Sequence, residues 1–251
     1  MVEEIEIIAE KEKIPEEVPL GIQKKKEYDL ESWNPKTELG KKVKSGQITS
    51  IDEILNSGKK IFEIEIVDYL IPGLQIELLL IGQSKGKFGG GKRSIWRQTQ
   101  KKTSEGNKPK FATLALVGNK DGYVGIGFGK SKETMPAREK AIRNAKLNII
   151  KVKRGCGSWE CGCGKTHSIP FKIEGKSASV RIRLMPAPRG TKLCVEKECQ
   201  KILDFAGIKD VYSKTLKSTT KMGLLKACFE ALKNLSHVKI KPQEEIRLGV
   251  K

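Results

Sequence analysis

Residues 111–150, FATLALVGNKDGYVGIGFGKSKETMPAREKAIRNAKLNII, decide the fold. Two apolar runs, Phe111 to Val117 and Tyr123 to Phe128, flank Gly118-Asn119-Lys120-Asp121-Gly122, and Asp-Gly between such runs is a strong hairpin signal. Gly125, Gly127 and Gly129 alternate along the second run and read as a twisted strand approaching another backbone closely. Ser131 is placed to cap a helix reaching about Ile150, with Ala141, Ile142, Ala145 and Ile149 on one stripe and Arg138, Lys140, Arg143 and Lys146 largely elsewhere. Residues 75–81 (QIELLLI) add a strand upstream. The expected unit, residues 71–151, is a set of antiparallel strands covered by one helix.

Between its first and second strands lies KGKFGGGKRSIWRQTQKKTSEGNKPK (85–110), unusually basic and rich in glycine. Its Lys85, Lys87, Lys92, Arg93, Arg97, Lys101, Lys102, Lys108 and Lys110 sit on a hairpin or long loop, where a phosphate backbone can be followed without base reading. Residues 1–70 read as a mostly extended N-terminal extension. Its first 23 residues, acidic and broken by Pro15 and Pro19, suit a disordered tail or an extended arm. Thr49 or Ser50 can cap a short helix carrying Ile51, Ile54 and Leu55 and stopped by Gly58, and a second short segment runs from Ile64 to Leu70.

Downstream, VKRGCGSWECGCGKT (152–166) replaces periodic apolar residues with glycine and cysteine and reads as a hinge. Residues 152–251 then form a second α+β unit. Ile169, Phe171 and Ile173 alternate with polar residues, Glu174-Gly175-Lys176 turns the chain, and Val180, Ile182 and Leu184 alternate with Arg181 and Arg183. Helices are predicted over Leu193–Ala206, ended by Gly207, and over Lys221–Leu235, with a short strand at Asp210–Ser213 between them.

Composition bounds the partner. Of 251 residues, 49 are Lys or Arg against 30 Asp or Glu, a formal charge of +19. Counterion release from phosphates makes nucleic acid the natural partner for such a surface. Membrane is the weaker choice, because the longest apolar runs are far short of a span and no signal peptide is recognisable, so a cytoplasmic location is expected. At 6% aromatic, the chain does not resemble a single-strand binder built on stacking platforms.

Enzymatic readings find little support. Gly86 to Lys92 has P-loop spacing up to its lysine, yet Arg93 stands where the magnesium-binding hydroxyl belongs. Gly129-Lys130-Ser131 has the right ending, but Val124 occupies the position of the first glycine, so no nucleotide is expected. The two histidines, His167 and His237, neighbour no recognisable nucleophile motif, so no catalytic residue is assigned. Lys130 and Arg154 join the candidate RNA contacts, as do Arg189, Lys214 and Lys217, which precede predicted helices whose free N–H groups can help hold phosphate.

Cys156, Cys161, Cys163 and His167 make a four-ligand set within twelve residues, flanked by glycines that let the backbone wrap a tetrahedral ion. The Cys-x-Cys spacing departs from the usual zinc knuckle. Two readings stand: a structural zinc site, or a reduced loop whose thiols are incidental.

Four separated motifs, VGNKDGYVGIGFGK (117–130), AIRNAKLNIIKVKRGCGSWECGCGKTHSIPF (141–171), VRIRLMPAPRGT (180–191) and LDFAGIKDVYSKT (203–215), resemble the S-five family of small-subunit ribosomal proteins in its archaeal form. The resemblance covers residues 27–236. It implies an α+β protein: a domain like the double-stranded-RNA-binding fold, followed by an α+β domain with a left-handed βαβ crossover. It also implies a structural role in the small ribosomal subunit. Family members bind small-subunit rRNA beside the path by which mRNA enters, next to the S-four and S-eight proteins, and support assembly and translational accuracy. Their basic hairpin loop maps onto Thr99 to Phe111, where Gly106-Asn107-Lys108-Pro109-Lys110 replaces the usual Gly-Arg-Arg run. Point-charge lysines thus stand in for bidentate arginines. The alternatives are a free-standing zinc-dependent RNA-binding protein and an RNA-binding, nucleotide-dependent remodelling factor.

Overall fold

A computed structural model describes residues 33–250 apart from 85, 87–90 and 92. The expectation for residues 1–23, and the candidates Lys85, Lys87 and Lys92, lie outside the described residues.

Residues 33–70 are not mostly extended as expected. They fold into α1 (Glu38–Lys44), α2 (Ile51–Asn56) and α3 (Ile64–Leu70). Val43, Ile51, Ile54, Ile61, Ile66 and Val67 form a core of their own that continues onto Ile149. Apolar residues three and four apart in segments this short cannot support isolated helices, so burial against the neighbouring unit holds them. Glu63 closes the unit. Its carboxylate accepts the backbone N–H groups of Lys36 (2.9 Å) and Thr37 (2.5 Å) and the Trp33 indole N–H (3.1 Å). Burial works against ionisation there, but these hydrogen bonds outweigh it and hold the carboxyl below its ordinary range.

The first sheet contains β1 (Gln75–Leu79), β2 (Arg97–Thr103), β3 (Gly106–Gly118), β4 (Tyr123–Ser131) and β5 (Ile149–Lys151). The long β3 pairs β4 along one edge, while β2 and β1 share the other edge in succession. One helix, α4 (Thr134–Leu147), covers the sheet. It starts three residues beyond the expected Ser131 cap, because Ser131 still pairs with Phe111 as the end of β4. The alternate glycines of β4 explain how closely α4 lies. A Cβ on Gly127 would fall 2.0 Å from the Ala145 nitrogen, and one on Gly129 would fall 2.1 Å from the Ala137 oxygen. Ala137, Ala141 and Ala145 are the matching small residues on the helix, all buried. Lys146, expected away from the core, is buried because α3 docks over it and Asp68 meets its ammonium at 2.7 Å.

The second sheet runs β6 (Ile173–Ser177), β7 (Val180–Pro186), β9 (Val211–Lys217) and β8 (Leu193–Cys194) in spatial order. Glu174–Lys176 lie inside β6 and do not turn the chain; the turn falls at Ala178-Ser179, with Ala178 at φ 52°. Gly175 is kept small by α6 (Lys221–His237), since its Cβ would lie 2.0 Å from the Ala227 oxygen. Leu193 and Cys194, expected in a helix, form β8 parallel to β9, and α5 (Lys197–Phe205) crosses between them as a βαβ unit. A last helix, α7 (Pro242–Leu248), starts at a proline suited to its first turn.

The segment 152–166 is no hinge. Val152 belongs to a continuous core that joins Leu79, Leu114, Leu116 and Val124 of the first sheet to Ile169, Ile182, Leu203 and Leu225 of the second unit. Polar ties reinforce this core: the Lys120 N–H donates to Phe205 O (3.0 Å) and the Leu80 N–H to the Glu198 carboxylate (2.9 Å). A shared apolar core of this kind opposes relative rotation of the two sheets.

Candidate RNA-binding surface and metal centre

The β2–β3 ribbon extends past the body of the sheet, because β4 pairing ends at Phe111 while β2 continues to pair with β3 down to Gly106. Side chains alternate on its pleat. The register Arg97↔Ala112, Thr99↔Lys110 and Lys101↔Lys108 therefore puts Arg97, Lys101, Lys108 and Lys110 on one face, and Lys102 on the other. All five are exposed. Glu105 at the tip neutralises part of this charge through Lys108 (2.6 Å). Arg93 is also exposed and bridges to Ser84 across the preceding loop.

Lys110 continues into a cleft of about 560 Å³ between β4 and the start of α4, where Lys130, Lys132 and Lys140 join it. Four lysines against one carboxylate, Glu133, beside the N-terminal turn of a helix leave a net positive potential at one place. Sequence reasoning misses Lys132 and Lys140, since each taken alone reads as a solvated charge. On the second sheet, Glu174, Arg183 and Lys214 lie side by side across β6, β7 and β9, so Lys214 is a strand residue and not a helix-start residue. Lys217 ends β9 at φ 65°, exposed. Arg189 is exposed too, but it precedes β8 and not a helix. Arg154 leaves the candidate set. It is buried and bonded to Asp121 at 2.5 Å, tying the β3–β4 turn to the chain that follows β5.

The cysteine loop does converge. The sulfurs of Cys156, Cys161 and Cys163 and a ring nitrogen of His167 all lie within 4.8 Å of one another. A tetrahedral zinc with Zn–S near 2.3 Å separates its sulfurs by about 3.8 Å, so modest contraction closes the set. Cys161 Sγ is already 3.8 Å from His167 Nε2. The Arg189 backbone N–H, then groups of Cys163, favour the Cys161 thiolate and draw its pKa down to about 6, while burial pushes the Cys156 thiol up to about 11. The opposite ring nitrogen, His167 Nδ1, meets Asp210 Oδ2 at 2.9 Å. A carboxylate behind a ligating histidine is the usual orienting partner in zinc sites. Asp210 lies 43 residues from His167, and no sequence pattern signals the pairing. The C-terminal segment seats on this loop: the Cys156 N–H donates to Leu248 O (2.8 Å), and Gly249 packs on Gly164. These four residues can hold a metal ion.

Two family models match the chain: the ribosomal protein S5 N-terminal domain over residues 95–153, and the ribosomal protein S5 C-terminal domain over residues 175–245. Together they span most of both sheets and more than half of the sequence. Small ribosomal subunit protein uS5 of Nanoarchaeum equitans is 53% identical over 215 residues, covering 85% of this chain and 92% of the relative.

The chain belongs to the ribosomal protein S5 family.

The proteins of the same description from Methanobrevibacter smithii and Methanothermobacter thermautotrophicus are each 45% identical and cover 89% of this chain, with 99% and 97% of their own lengths. The N-terminal domain model begins just before β2 and ends just past β5, and the C-terminal domain model begins inside β6 and ends inside α7, so the two matches divide along the two sheets. No helix among the described residues is long and apolar enough to cross a membrane.

Proposed function

We propose that this S5 family chain is a structural constituent of the small ribosomal subunit in the cytoplasm, and that it holds rRNA chiefly through phosphate contacts. The observation that carries the reading is the row Arg97, Lys101, Lys108 and Lys110 on one face of a protruding ribbon, continued by the lysine cleft at the start of α4. Such a row follows the backbone of folded RNA by shape and charge, with little base reading. Lys214, Lys217 and Arg189 add exposed positive charge on the second unit, and Arg93 does so on the first; Lys85, Lys87 and Lys92 belong to the same basic stretch of sequence as Arg93. In the assembled subunit the chain lies beside the path of mRNA, next to the S-four and S-eight proteins, and supports assembly and accuracy of decoding.

The Cys156, Cys161, Cys163 and His167 set binds a structural zinc in this reading. Zinc supplies a covalent-strength crosslink for a loop with few apolar side chains, and the chain's own contributions are three sulfurs, one imidazole and the Asp210 carboxylate that orients it.

The reading is tested by equilibrium binding of the purified chain to small-subunit rRNA and to unstructured RNA of equal length, at several salt concentrations. Tighter binding to the folded rRNA, with affinity falling steeply as salt rises, is expected. Equal affinity for both RNAs would contradict it.

A further inference from the structure

The loop Pro188–Lys192 is tied to the metal-binding set through Asp210, which reaches both at once: its Oδ2 meets His167 Nδ1 (2.9 Å), while its Oδ1 accepts the backbone N–H groups of Gly190 (3.1 Å) and Lys192 (2.8 Å). Gly190 has φ 95° and Lys192 φ 63°. A lysine in the left-handed region is unfavourable and persists only where surrounding bonds fix it. The Asp210 carboxylate provides that bond. Arg189 and Lys192 themselves are exposed and point their charge outward from a loop whose backbone is held from within.

We propose that metal binding sets the conformation of this loop, and so its contact with RNA phosphate, with Asp210 as the positioning residue. This rests on the zinc reading above. The Nε2 atom of His167 is the one turned toward Cys161, so an ion bound there leaves the ring proton on Nδ1. That proton is then donated to Asp210, and the carboxylate is fixed with its other oxygen toward Gly190 and Lys192. Without the ion the His167 ring loses its tie to the three sulfurs and is held by Asp210 alone, so ring and carboxylate move together more freely and the two acceptor bonds to Gly190 and Lys192 open more often.

The test is amide hydrogen exchange on the full chain, zinc-loaded and zinc-stripped, together with rRNA binding by the same two forms of the wild type and of an Arg189→Ala, Lys192→Ala double variant. Stripping should accelerate exchange at Gly190 and Lys192 by about tenfold or more, as expected for losing bonds to a charged acceptor, and leave Ile182 and Leu184 of β7 protected. It should weaken rRNA binding by the wild type and have little effect on the double variant. Asp210→Asn should show fast exchange at both amides while retaining zinc. Zinc present with unchanged exchange, or equal weakening in the double variant, would overturn the coupling and leave the zinc reading standing. Loss of protection extending to β7 would overturn it too, by making zinc a determinant of the whole domain. Failure of the purified chain to bind zinc at all would overturn both.

Discussion

Lys101 and Lys108 stand directly opposite one another on the exposed face of the β2–β3 ribbon. Like charges at opposed positions of an antiparallel pair destabilise it, by up to about 1 kcal/mol. Glu105 offsets part of the repulsion through Lys108, and a polyanion lying along the ribbon relieves the rest. Replacing Lys101, Lys102, Lys108 and Lys110 with alanine should therefore weaken rRNA binding and lower the salt slope by roughly 3 to 3.6, at about 0.7 to 0.9 for each of four phosphates no longer neutralised. The melting temperature should stay constant or rise slightly. An unchanged slope, measured by titration at several salt concentrations, would remove the ribbon from the RNA interface.

Gly127→Ala tests the close approach of β4 and α4. Its Cβ would meet Ala145 N at 2.0 Å and Ala141 O at 2.2 Å, both backbone atoms of a packed helix. Neither can move without shifting α4 as a whole. A loss of about 3 kcal/mol or more is expected in urea unfolding, at the upper end for overpacked cores.

Asp52 joins the N-terminal helices to the first sheet, accepting from Tyr123 Oη (2.7 Å) and Lys151 Nζ (2.6 Å). Burial alone would raise its pKa, but these two bonds outweigh burial and hold it below the usual carboxylate value. A group depressed in this way stabilises the fold above its unfolded-state pKa, and that contribution disappears as pH falls through the lower folded-state value. Asp52→Asn should cost about 1 to 2 kcal/mol at pH 7. The difference from wild type should shrink toward zero at strongly acid pH, as measured by paired unfolding curves.

Zinc content should track the four ligands. Elemental analysis of the gently purified chain should give about one equivalent, and Cys161→Ser or Cys163→Ser should lower it well below that. Cys194→Ser should leave it unchanged, since that exposed thiol lies in β8 and its sulfur donates to Thr191 O (3.7 Å).

What the sequence made legible depended on how local its signals were. The 118–122 turn, the β4 glycines and the Ile51 helix each carry a signal within a few residues, and all lie where expected. The helix expected over 193–196 does not form because Leu193 and Cys194 pair with Val211 and Tyr212, a parallel pairing across a whole crossover that no local period reveals. Gly175 suggests a turn because glycine marks both turns and close packing, and only α6 lying over it tells the two apart. Lys146 and Arg154 look like surface charges until Asp68 and Asp121, 78 and 33 residues away, meet them in the folded chain. The same holds at the metal-binding set. The four ligands fall within one short stretch of sequence, whereas Asp210, which links them to the Arg189 loop, is brought in only by the register of β9.

Sucrose-gradient sedimentation of cell lysate at moderate and at high salt, with detection of this chain, tests the central claim most directly. Recovery with small ribosomal subunits under both conditions is the expected result. Exclusive recovery in the free fractions would contradict it.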